Sequence, residues 1–266
     1  MTTSPQTHPA VPGSIAKLAT AANTVEFFTG AGMSAESGLE TFRDKQTGLW
    51  SKVDPIAMAN FDAWRRDPSR IWPWYLWRMS KVQNATPNAG HIAIAKWTEL
   101  LSDGPGWGHV TTQNIDNLHE RAGSDHVAHL HGSLFAFRCD HCGAPAEQPD
   151  PPREPVEKLM PPFCERCVAG LIRPGVVWFG ESLPQAAWME AEMYSQKAEL
   201  MIVTGTSGVV FPAAGLPLAA VEAGIPVVEI SPEETDFTPH ATHFWQTTAA
   251  VGLPALVDVV KKAREQ

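Results

Sequence analysis

Four short β-prone runs, each followed by a glycine or polar turn, stand out along the chain. They span residues 25–29, 109–112, 200–203 and 227–230. Helical patterns accompany them at residues 14–22, 89–101, 184–197 and 213–223. The repeated order of strand, turn and helix predicts an α/β fold whose larger domain is a doubly wound, Rossmann-like parallel sheet.

Two segments interrupt this alternation and predict a smaller domain. Residues 61–82 form a helical pattern with a heavy aromatic load, and residues 136–170 combine cysteines with a proline-rich loop. The predicted division is a sheet domain of residues 14–43, 84–135 and 171–266, a helical part of the smaller domain at 44–83, and a cysteine-containing part at 136–170. Residues 1–13 carry three prolines and few apolar residues, so we expect a disordered lead-in.

The overall charge and the apolar pattern limit the possible partners. The chain has 266 residues and a formal net charge of -9, which leaves no basic surface for general nucleic-acid binding. No window approaches the ~18 apolar residues of a membrane span, and the first residues lack the features of a signal peptide. We therefore expect a cytoplasmic protein without nucleic-acid or membrane partners. A separate expectation is that it is a monomer.

The first strand ends in a glycine turn, Gly30-Ala31-Gly32. With the small residue Ala35, it matches the G-x-G-x-x-G/A dinucleotide fingerprint, in which a pyrophosphate approaches the backbone at a helix start. A plain turn between strand and helix explains the same residues about equally well. Where that fingerprint places a ribose-binding acid, residues 52–55 follow no strand pattern, so a bound dinucleotide would have its ribose held from elsewhere.

The other strand ends also carry polar or small residues, and open α/β sheets bind ligands at this edge. These residues are Gln113, Asn114 and Asp116 after the second run, Gly205, Thr206 and Ser207 after the third, and Ser231 after the fourth. Asn114 or Asp116 could also cap the next helix, and the two roles are compatible.

The four cysteines form two C-x-x-C pairs, Cys139 with Cys142 and Cys164 with Cys167. In a reducing compartment such pairs typically hold a tetrahedral zinc ion. Because cysteine fills all four positions, no coordination site is open to a substrate, and the zinc would be structural. A redox role is the alternative, although two pairs argue against a single thioredoxin-like site.

Tyr75 and Arg78 lie three residues apart, so a helix places them on one face. A packing helix with a half-buried tyrosine and a solvated arginine accounts for the pair without any ligand. The other interpretation is a clamp for a carboxylate, which would accept hydrogen bonds from both side chains.

Taken together, six features resemble the sirtuin family of NAD-dependent protein lysine deacylases, from about residue 14 onward. They are GAGMSAESGLETFR (30–43), TQNIDNLHERAG (112–123), HLHGS (129–133), the four cysteines, PGVVWFGE (174–181) and GTSGVVFPAA (205–214). The resemblance implies NAD as co-substrate and one structural zinc ion. It also implies the reaction: the acyl-lysine oxygen attacks the NAD ribose as nicotinamide leaves, which yields nicotinamide, free lysine and O-acyl-ADP-ribose.

The resemblance assigns roles to residues within these segments. His131 matches a general base acting on a ribose hydroxyl, with Asn114 and Asp116 in the nicotinamide and ribose pocket. The residues implied in the rest of the cofactor cleft are Gly30, Ala31, Gly32, Ser34, Ala35, Phe42, Arg43, Gln113, Ile115, Gly205, Thr206, Ser207, Ser231 and Ala249. Phe42 and Arg43 would belong to a mobile loop that closes over NAD.

An acylated-lysine protein would bind between the two domains as an added strand, which pairs with main-chain groups. The matching residues are Val177, Trp178, Phe179, Gly180 and Glu181. Tyr75 and Arg78 resemble the Tyr-x-x-Arg of the desuccinylase and demalonylase branch, which implies removal of succinyl or malonyl groups as well as acetyl.

Two departures from the family pattern concern the adenosine end. Ser231-Pro232 stands where relatives usually carry asparagine, and the usual glycines near Ala249 are absent. Two alternative functions stay open. One is mono-ADP-ribosyl transfer, in which a protein side chain intercepts the activated ribose. The other is a catalytically silent NAD-sensing or zinc-binding interaction module.

Overall fold

A six-stranded parallel sheet organises the larger part of the computed structural model, which describes residues 10–40 and 53–265. The strands of the chain are β1 (Thr24–Thr29), β2 (Trp107–Thr112), β3 (Val127–His129), β4 (Gly132–Cys139), β5 (Pro145–Ala146), β6 (Ile172–Val176), β7 (Leu200–Thr204), β8 (Val227–Ser231) and β9 (His243–Gln246). The large sheet has the order β3-β2-β1-β7-β8-β9, with every neighbouring pair parallel. This order confirms the predicted Rossmann-like fold and places the topological switch point between β1 and β7.

Helices cover both faces of this sheet. The helices of the described chain are α1 (Gly13–Ala21), α2 (Pro55–Met58), α3 (Phe61–Arg66), α4 (Pro68–Asn84), α5 (Ala89–Ser102), α6 (Leu118–Ala122), α7 (Gln185–Lys197), α8 (Gly215–Glu222) and α9 (Ala249–Arg264). Adjacent residues of β1 show the two layers, because side chains alternate along a strand. Phe27 packs with α1, α5 and α9, whereas Phe28 packs with α7 and α8. Within the described ranges, no helix has the length and apolar character to cross a membrane.

A second, antiparallel sheet of order β5-β4-β6 forms the smaller domain together with α3 and α4. The two parts share one buried core, in which Trp72 of α4 contacts Phe137 of β4 edge to face. The helical pattern of residues 61–82 divides into α3 and α4 at Asp67, because Pro68 disfavours helical backbone angles at the preceding residue. Since the second sheet crosses the predicted boundaries at residues 135 and 171, we propose to count residues 132–176 with the smaller domain.

A buried charged network holds α7 against the large sheet. His109 of β2 is bonded through Nδ1 to Glu26 Oε2 of β1 at 2.8 Å and through Nε2 to Glu190 Oε1 of α7 at 3.2 Å. The ring of Tyr194 stacks on His109 with 3.9 Å between the ring centroids. Burial alone would lower the pKa of His109, but the hydrogen bonds and charges of the two carboxylates raise it. Burial raises the pKa of Glu26.

We predict that His109→Gln lowers the free energy of unfolding by about 3 kcal/mol near pH 6, because it leaves the buried Glu26 without its charged partner. Both raised pKa values mean that the folded protein holds protons more tightly than the unfolded chain. The stabilisation that His109 contributes is therefore complete below the unfolded histidine pKa of about 6.5. It is lost as pH rises through the pKa of His109 in the folded protein. The measurement is Tm against pH for wild type and variant. A difference in Tm that stays constant from pH 6 to 9 would contradict this assignment. His126→Gln is the control, because His126 is exposed.

Candidate active site

Two glycine turns meet at the switch point, one after β1 and one after β7. The Gly30 N–H donates to the Thr204 carbonyl at 3.0 Å, and the Gly32 N–H donates to the Gly205 carbonyl at 2.8 Å. A Cβ on Gly32 would lie 2.8 Å from the Gly205 Cα, and Gly205 itself has a φ of 68°. Glycine is therefore required here because the two backbones touch. This packing supports the plain-turn interpretation without excluding a ligand at the same edge.

The segment after the first turn differs from the helix that the fingerprint predicts. Residues Ala31–Ser37 form a 3-10 helix, which ends at Gly38 with a φ of 80°. The tighter winding buries Met33 and Ser34 and leaves Ala35 exposed. This exposure differs from the close helix–strand packing that the last small residue of the fingerprint normally provides. Phe42 and Arg43 lie outside the described residues.

Ser34, Asn114 and Asp116 form a buried hydrogen-bonded cluster beside this turn. The Ser34 hydroxyl donates to Asp116 Oδ2 at 2.9 Å and accepts from Asn114 Nδ2 at 3.2 Å. Asp116 Oδ1 accepts from the backbone N–H of Leu118 at 3.0 Å, so Asp116 also supports the start of α6. Burial raises the pKa of Asp116, and these hydrogen bonds oppose the shift. The 3-10 helix after β1 and the segment after β2 thus contribute to one polar cluster.

The neighbouring strand-end residues lie at the same edge. Gln113 Nε2 donates to Thr206 Oγ1 at 2.9 Å, which joins the turn after β2 to the turn after β7. The Ile115 carbonyl accepts the N–H of Leu134 at 2.9 Å, and Ser207 is half-buried in the β7 turn. The structure therefore brings the residues expected from two separate strands to one place.

His91 of α5 lies next to this cluster. It was not among the residues predicted for the site. Its Nδ1 accepts the backbone N–H of Asn88 at 3.3 Å, so the proton sits on Nε2, which lies 3.5 Å from Ser34 Oγ. Burial lowers the pKa of His91 to about 4, so the ring is neutral at pH 7. The sequence signal is Asn88-x-x-His91, the spacing of a capping box, which the structure forms.

His131 lies where the chain passes from the large sheet to the second sheet. Its Nδ1 donates to the Gln113 carbonyl at 3.0 Å, which leaves Nε2 as the basic nitrogen. Within the described residues, nothing bonds to that Nε2. Burial lowers the pKa of His131, so the neutral imidazole predominates at pH 7. In His129, by contrast, Nδ1 is bonded to the Asn114 carbonyl at 3.0 Å and Nε2 to Glu120 at 2.7 Å. Of the two histidines, only His131 is arranged to accept a proton.

Tyr75 and Arg78 lie together on α4 in the smaller domain. Tyr75 is only 2% exposed, and its phenol oxygen accepts a hydrogen bond from Trp178 Nε1 at 2.8 Å. Burial raises the pKa of Tyr75 to about 12, so it keeps its proton. The Arg78 guanidinium carbon lies 4.9 Å from the Trp74 ring centroid and 5.9 Å from that of Tyr75. Burial lowers the pKa of Arg78, and the charge of Asp116 is close enough to oppose this.

Much of the main chain at residues 177–181 is already bonded within the protein. Val177 N–H donates to the His131 carbonyl at 2.8 Å, and Phe179 N–H donates to the Ala59 carbonyl at 2.9 Å. Trp178 and Glu181 exchange two bonds, one between their main chains and one from the Trp178 N–H to the Glu181 carboxylate. Among the bonds of the described residues, Gly180 alone makes none through its main chain. The predicted pairing edge is therefore narrower than the five-residue segment.

The four cysteine sulfur atoms converge, all within 4.8 Å of one another. Cys139 and Cys167 are 3.6 Å apart at sulfur, and Cys142 and Cys164 are 3.8 Å apart. Zinc–sulfur bonds of about 2.3 Å in a tetrahedron give sulfur separations of about 3.8 Å, so the cluster fits zinc. The same separations are far too long for the ~2.05 Å of a disulfide. The cluster is a four-cysteine site suited to structural zinc.

The comparison with protein families agrees with this arrangement of turns, histidine and cysteines. The sequence model of the Sir2 family matches residues 30–212, which include all of them. The chain belongs to the Sir2 family.

Members of the Sir2 family with assigned names or solved structures match almost the whole chain. This chain is 58% identical over 242 residues to NAD-dependent protein deacylase 2 of Corynebacterium efficiens, and the match covers 90% of this chain and 94% of that protein. The complex of a mutant Sir2 homologue with 2'-O-acetyl ADP ribose is 42% identical, with a TM-score of 0.86 over 96% of this chain and 99% of that one. A Sir2 homologue in complex with NAD is 40% identical, with a TM-score of 0.84 over 98% and 96% of the two chains.

Ser231 and Ala249, the two residues expected near the adenosine, make internal contacts in this Sir2-family protein. Ser231 Oγ donates to the Glu233 carbonyl at 2.6 Å, which closes a tight turn after β8. Ala249 is buried at the start of α9, and a Cβ added to Gly90 would lie 2.9 Å from its carbonyl oxygen. Their predicted contacts with adenosine stay predictions.

Proposed function

We propose that this Sir2-family protein is an NAD-dependent protein lysine deacylase. It transfers the acyl group of an acyl-lysine to ADP-ribose and releases nicotinamide and free lysine. The observation that carries this proposal is the arrangement of His131, which is half-buried, anchored through Nδ1 to the Gln113 carbonyl and has its pKa lowered by burial. The Ser34, Asn114 and Asp116 cluster lies on the adjoining strand ends, where a doubly wound sheet binds its ligand.

NAD, when bound, supplies an electrophilic ribose carbon as nicotinamide leaves. His131 Nε2 would then accept the proton of a ribose hydroxyl, and its Nδ1–H would keep the ring oriented. Asn114 and Asp116 would hold the nicotinamide and ribose, with their side chains oriented by Ser34. The remaining cleft residues proposed along the cofactor are Gly30, Ala31, Gly32, Ala35, Gln113, Ile115, Gly205, Thr206 and Ser207. These steps require only proton transfer and positioning from the protein.

The acylated protein would enter between the two domains as an extended segment. Gly180 offers the main-chain groups for pairing, and Phe179 beside it has a side chain that is 48% exposed. Recognition through main-chain groups depends little on substrate sequence, which suits an enzyme that acts on lysines of many proteins.

We also propose that the acyl pocket accepts succinyl or malonyl groups through Tyr75 and Arg78. Tyr75 keeps its proton and has its oxygen already bonded to Trp178, so its hydroxyl is available as a donor. Arg78 contributes a positive charge on the same helix face, and the negative charge of Asp116 acts to raise the pKa of this guanidinium. A guanidinium and a phenol together match the acceptor-only oxygens of a carboxylate, which an acetyl group lacks.

The test is mass spectrometry of matched acetyl-lysine and succinyl-lysine peptides, incubated with the protein with and without NAD. We expect NAD-dependent loss of succinyl to exceed loss of acetyl. Arg78→Met should lower the succinyl-to-acetyl ratio of kcat/KM about 10- to 100-fold, since a hydrogen bond to a charged group contributes about 1.5–3 kcal/mol.

Arg70→Met is the matched control, because Arg70 lies exposed on the same helix. If Arg78→Met leaves the ratio unchanged, the pair is structural and the protein is a plain deacetylase. If neither peptide is turned over while NAD still binds, the deacylase proposal itself is wrong.

A further inference from the structure

Trp178 connects the substrate-side loop to the acyl pocket through its indole ring. It is 1% exposed, and its Nε1–H donates to the Tyr75 oxygen at 2.8 Å. A phenol oxygen can either accept or donate toward a ligand. Because the indole occupies the acceptor side of Tyr75, the phenol proton is left to point elsewhere. A carboxylate can use that proton, whereas an acyl group without an acceptor at this position cannot.

An ion pair between the buried Arg173 and the half-buried Glu181 fixes the position of Trp178. Arg173 is 2% exposed and donates through both terminal nitrogens to Glu181, at 2.5 Å and 2.8 Å. Its guanidinium carbon lies 3.5 Å from the Trp178 ring centroid, which is close contact for a stacked cation. Glu181 Oε2 also accepts the Trp178 backbone N–H at 2.9 Å. The ring and the backbone of Trp178 are thus both held by one ion pair, whose bidentate geometry restricts their movement.

From these contacts we infer that Trp178 is a specificity-determining positioning residue, which orients the Tyr75 hydroxyl as a donor to the carboxylate of an acidic acyl group. Arg173 and Glu181 hold Trp178 in that position. This inference rests on the proposed acidic-acyl function and adds the residues that would set it. It assigns to the indole N–H a role that ring packing alone does not require.

A structural role for Trp178 makes a different prediction. Its ring also packs on Trp64, with 5.3 Å between the centroids, inside the core of the smaller domain. Loss of packing there would affect turnover of every acyl group alike. Loss of hydroxyl orientation would affect only groups that carry a carboxylate, so the ratio between two acyl groups separates the two roles.

The experiment compares wild type, Trp178→Phe and Trp64→Phe in kcat/KM for the succinyl-lysine and acetyl-lysine peptides. Trp178→Phe keeps an aromatic ring and removes the N–H. It should lower the succinyl-to-acetyl ratio by roughly 3- to 10-fold, the effect of one hydrogen bond, mainly through a higher KM for succinyl. Trp64→Phe is the matched control, because it is equally buried and its N–H donates to Asp140 at 2.8 Å instead. Its ratio should equal that of wild type.

Tyr75→Phe, alone and combined with Trp178→Phe, shows whether Trp178 acts through the tyrosine. If Trp178 acts through Tyr75, adding Trp178→Phe to Tyr75→Phe should not change the succinyl-to-acetyl ratio further, because the hydroxyl has already been removed. Equal losses for both peptides in Trp178→Phe, or additive effects in the double variant, would overturn the inference. The turnover of acetyl-lysine reports whether each variant is folded. If Trp178→Phe does not fold, Glu181→Gln replaces it in the experiment, and we expect it to shift the ratio in the same direction.

Failure of the proposed function gives a distinct result. If wild type does not prefer succinyl and Arg78→Met leaves the succinyl-to-acetyl ratio unchanged, the carboxylate clamp is absent. The inference about Trp178 is then wrong as well. If both of those tests succeed and only Trp178→Phe leaves the ratio unchanged, the clamp stands and Trp178 has no part in it.

Discussion

Replacement of His131 by alanine is expected to slow deacylation by about 10²- to 10⁴-fold, the range that loss of a general base typically gives. The hydrogen bond from Nδ1 to the Gln113 carbonyl leaves Nε2 as the basic nitrogen, and alanine offers no substitute. In the proposed mechanism nicotinamide leaves before the proton is transferred, so exchange of labelled nicotinamide into NAD should persist. The measurement is kcat for acyl-lysine loss beside the exchange rate.

His126→Ala is the control, because His126 is exposed in the turn before β3. Its deacylation rate should match that of wild type. A His131→Ala protein that keeps more than a tenth of the wild-type kcat would place the base elsewhere in the cleft.

As the proposed general base, His131 should also determine how activity falls at acid pH. A general base must be neutral, and burial lowers the pKa of His131 below its ordinary value. Activity should therefore be constant at neutral pH and should decline only as pH falls below the ordinary histidine pKa of about 6.5. The profile of kcat/KM reports this pKa in the free enzyme.

The residues that the sequence predicts well are those whose position follows from strand order. Gln113 and Thr206 follow two different strands, β2 and β7, which end at the same edge of a parallel sheet. Their contact was implied once the α/β alternation was recognised. The four cysteines were predictable for a different reason, because two close pairs of thiols have few other uses in a reducing compartment.

The residues that the sequence does not predict depend on packing between distant segments. Trp178 and Tyr75 are separated by 103 positions, and no local pattern indicates that an indole N–H meets that phenol. His91 belongs to an ordinary amphipathic helix, where a lone histidine usually indicates packing. Helix α9 was missed because Gly252 and Pro254 resemble helix breakers, although tertiary contacts hold the helix together.

Removal of zinc is expected to have the largest effect on stability, because it should unfold the smaller domain. Structural zinc in small domains contributes an apparent free energy of about 10–16 kcal/mol at pH 7, comparable to the whole stability of a typical domain. Cys139 and Cys164 are buried in the same core as Tyr75 and Trp178. Loss of the metal should therefore abolish turnover of succinyl-lysine and acetyl-lysine together, unlike the selective effect of Arg78→Met.

Near-UV circular dichroism, zinc content and thiol titration during chelation provide the measurement. The chain has four cysteines, and all four lie in the cluster, so reactive thiols should rise from none to four as zinc is lost. Cys142→Ser should reproduce the loss, whereas His141→Ala, an exposed neighbour in the same C-x-x-C pair, should retain zinc and activity. The large sheet should keep its far-UV signal, because Ile94, Trp97 and Leu253 belong to a separate core. A zinc-free protein with unchanged near-UV signal and activity would show that the cysteines are not needed to hold the smaller domain together.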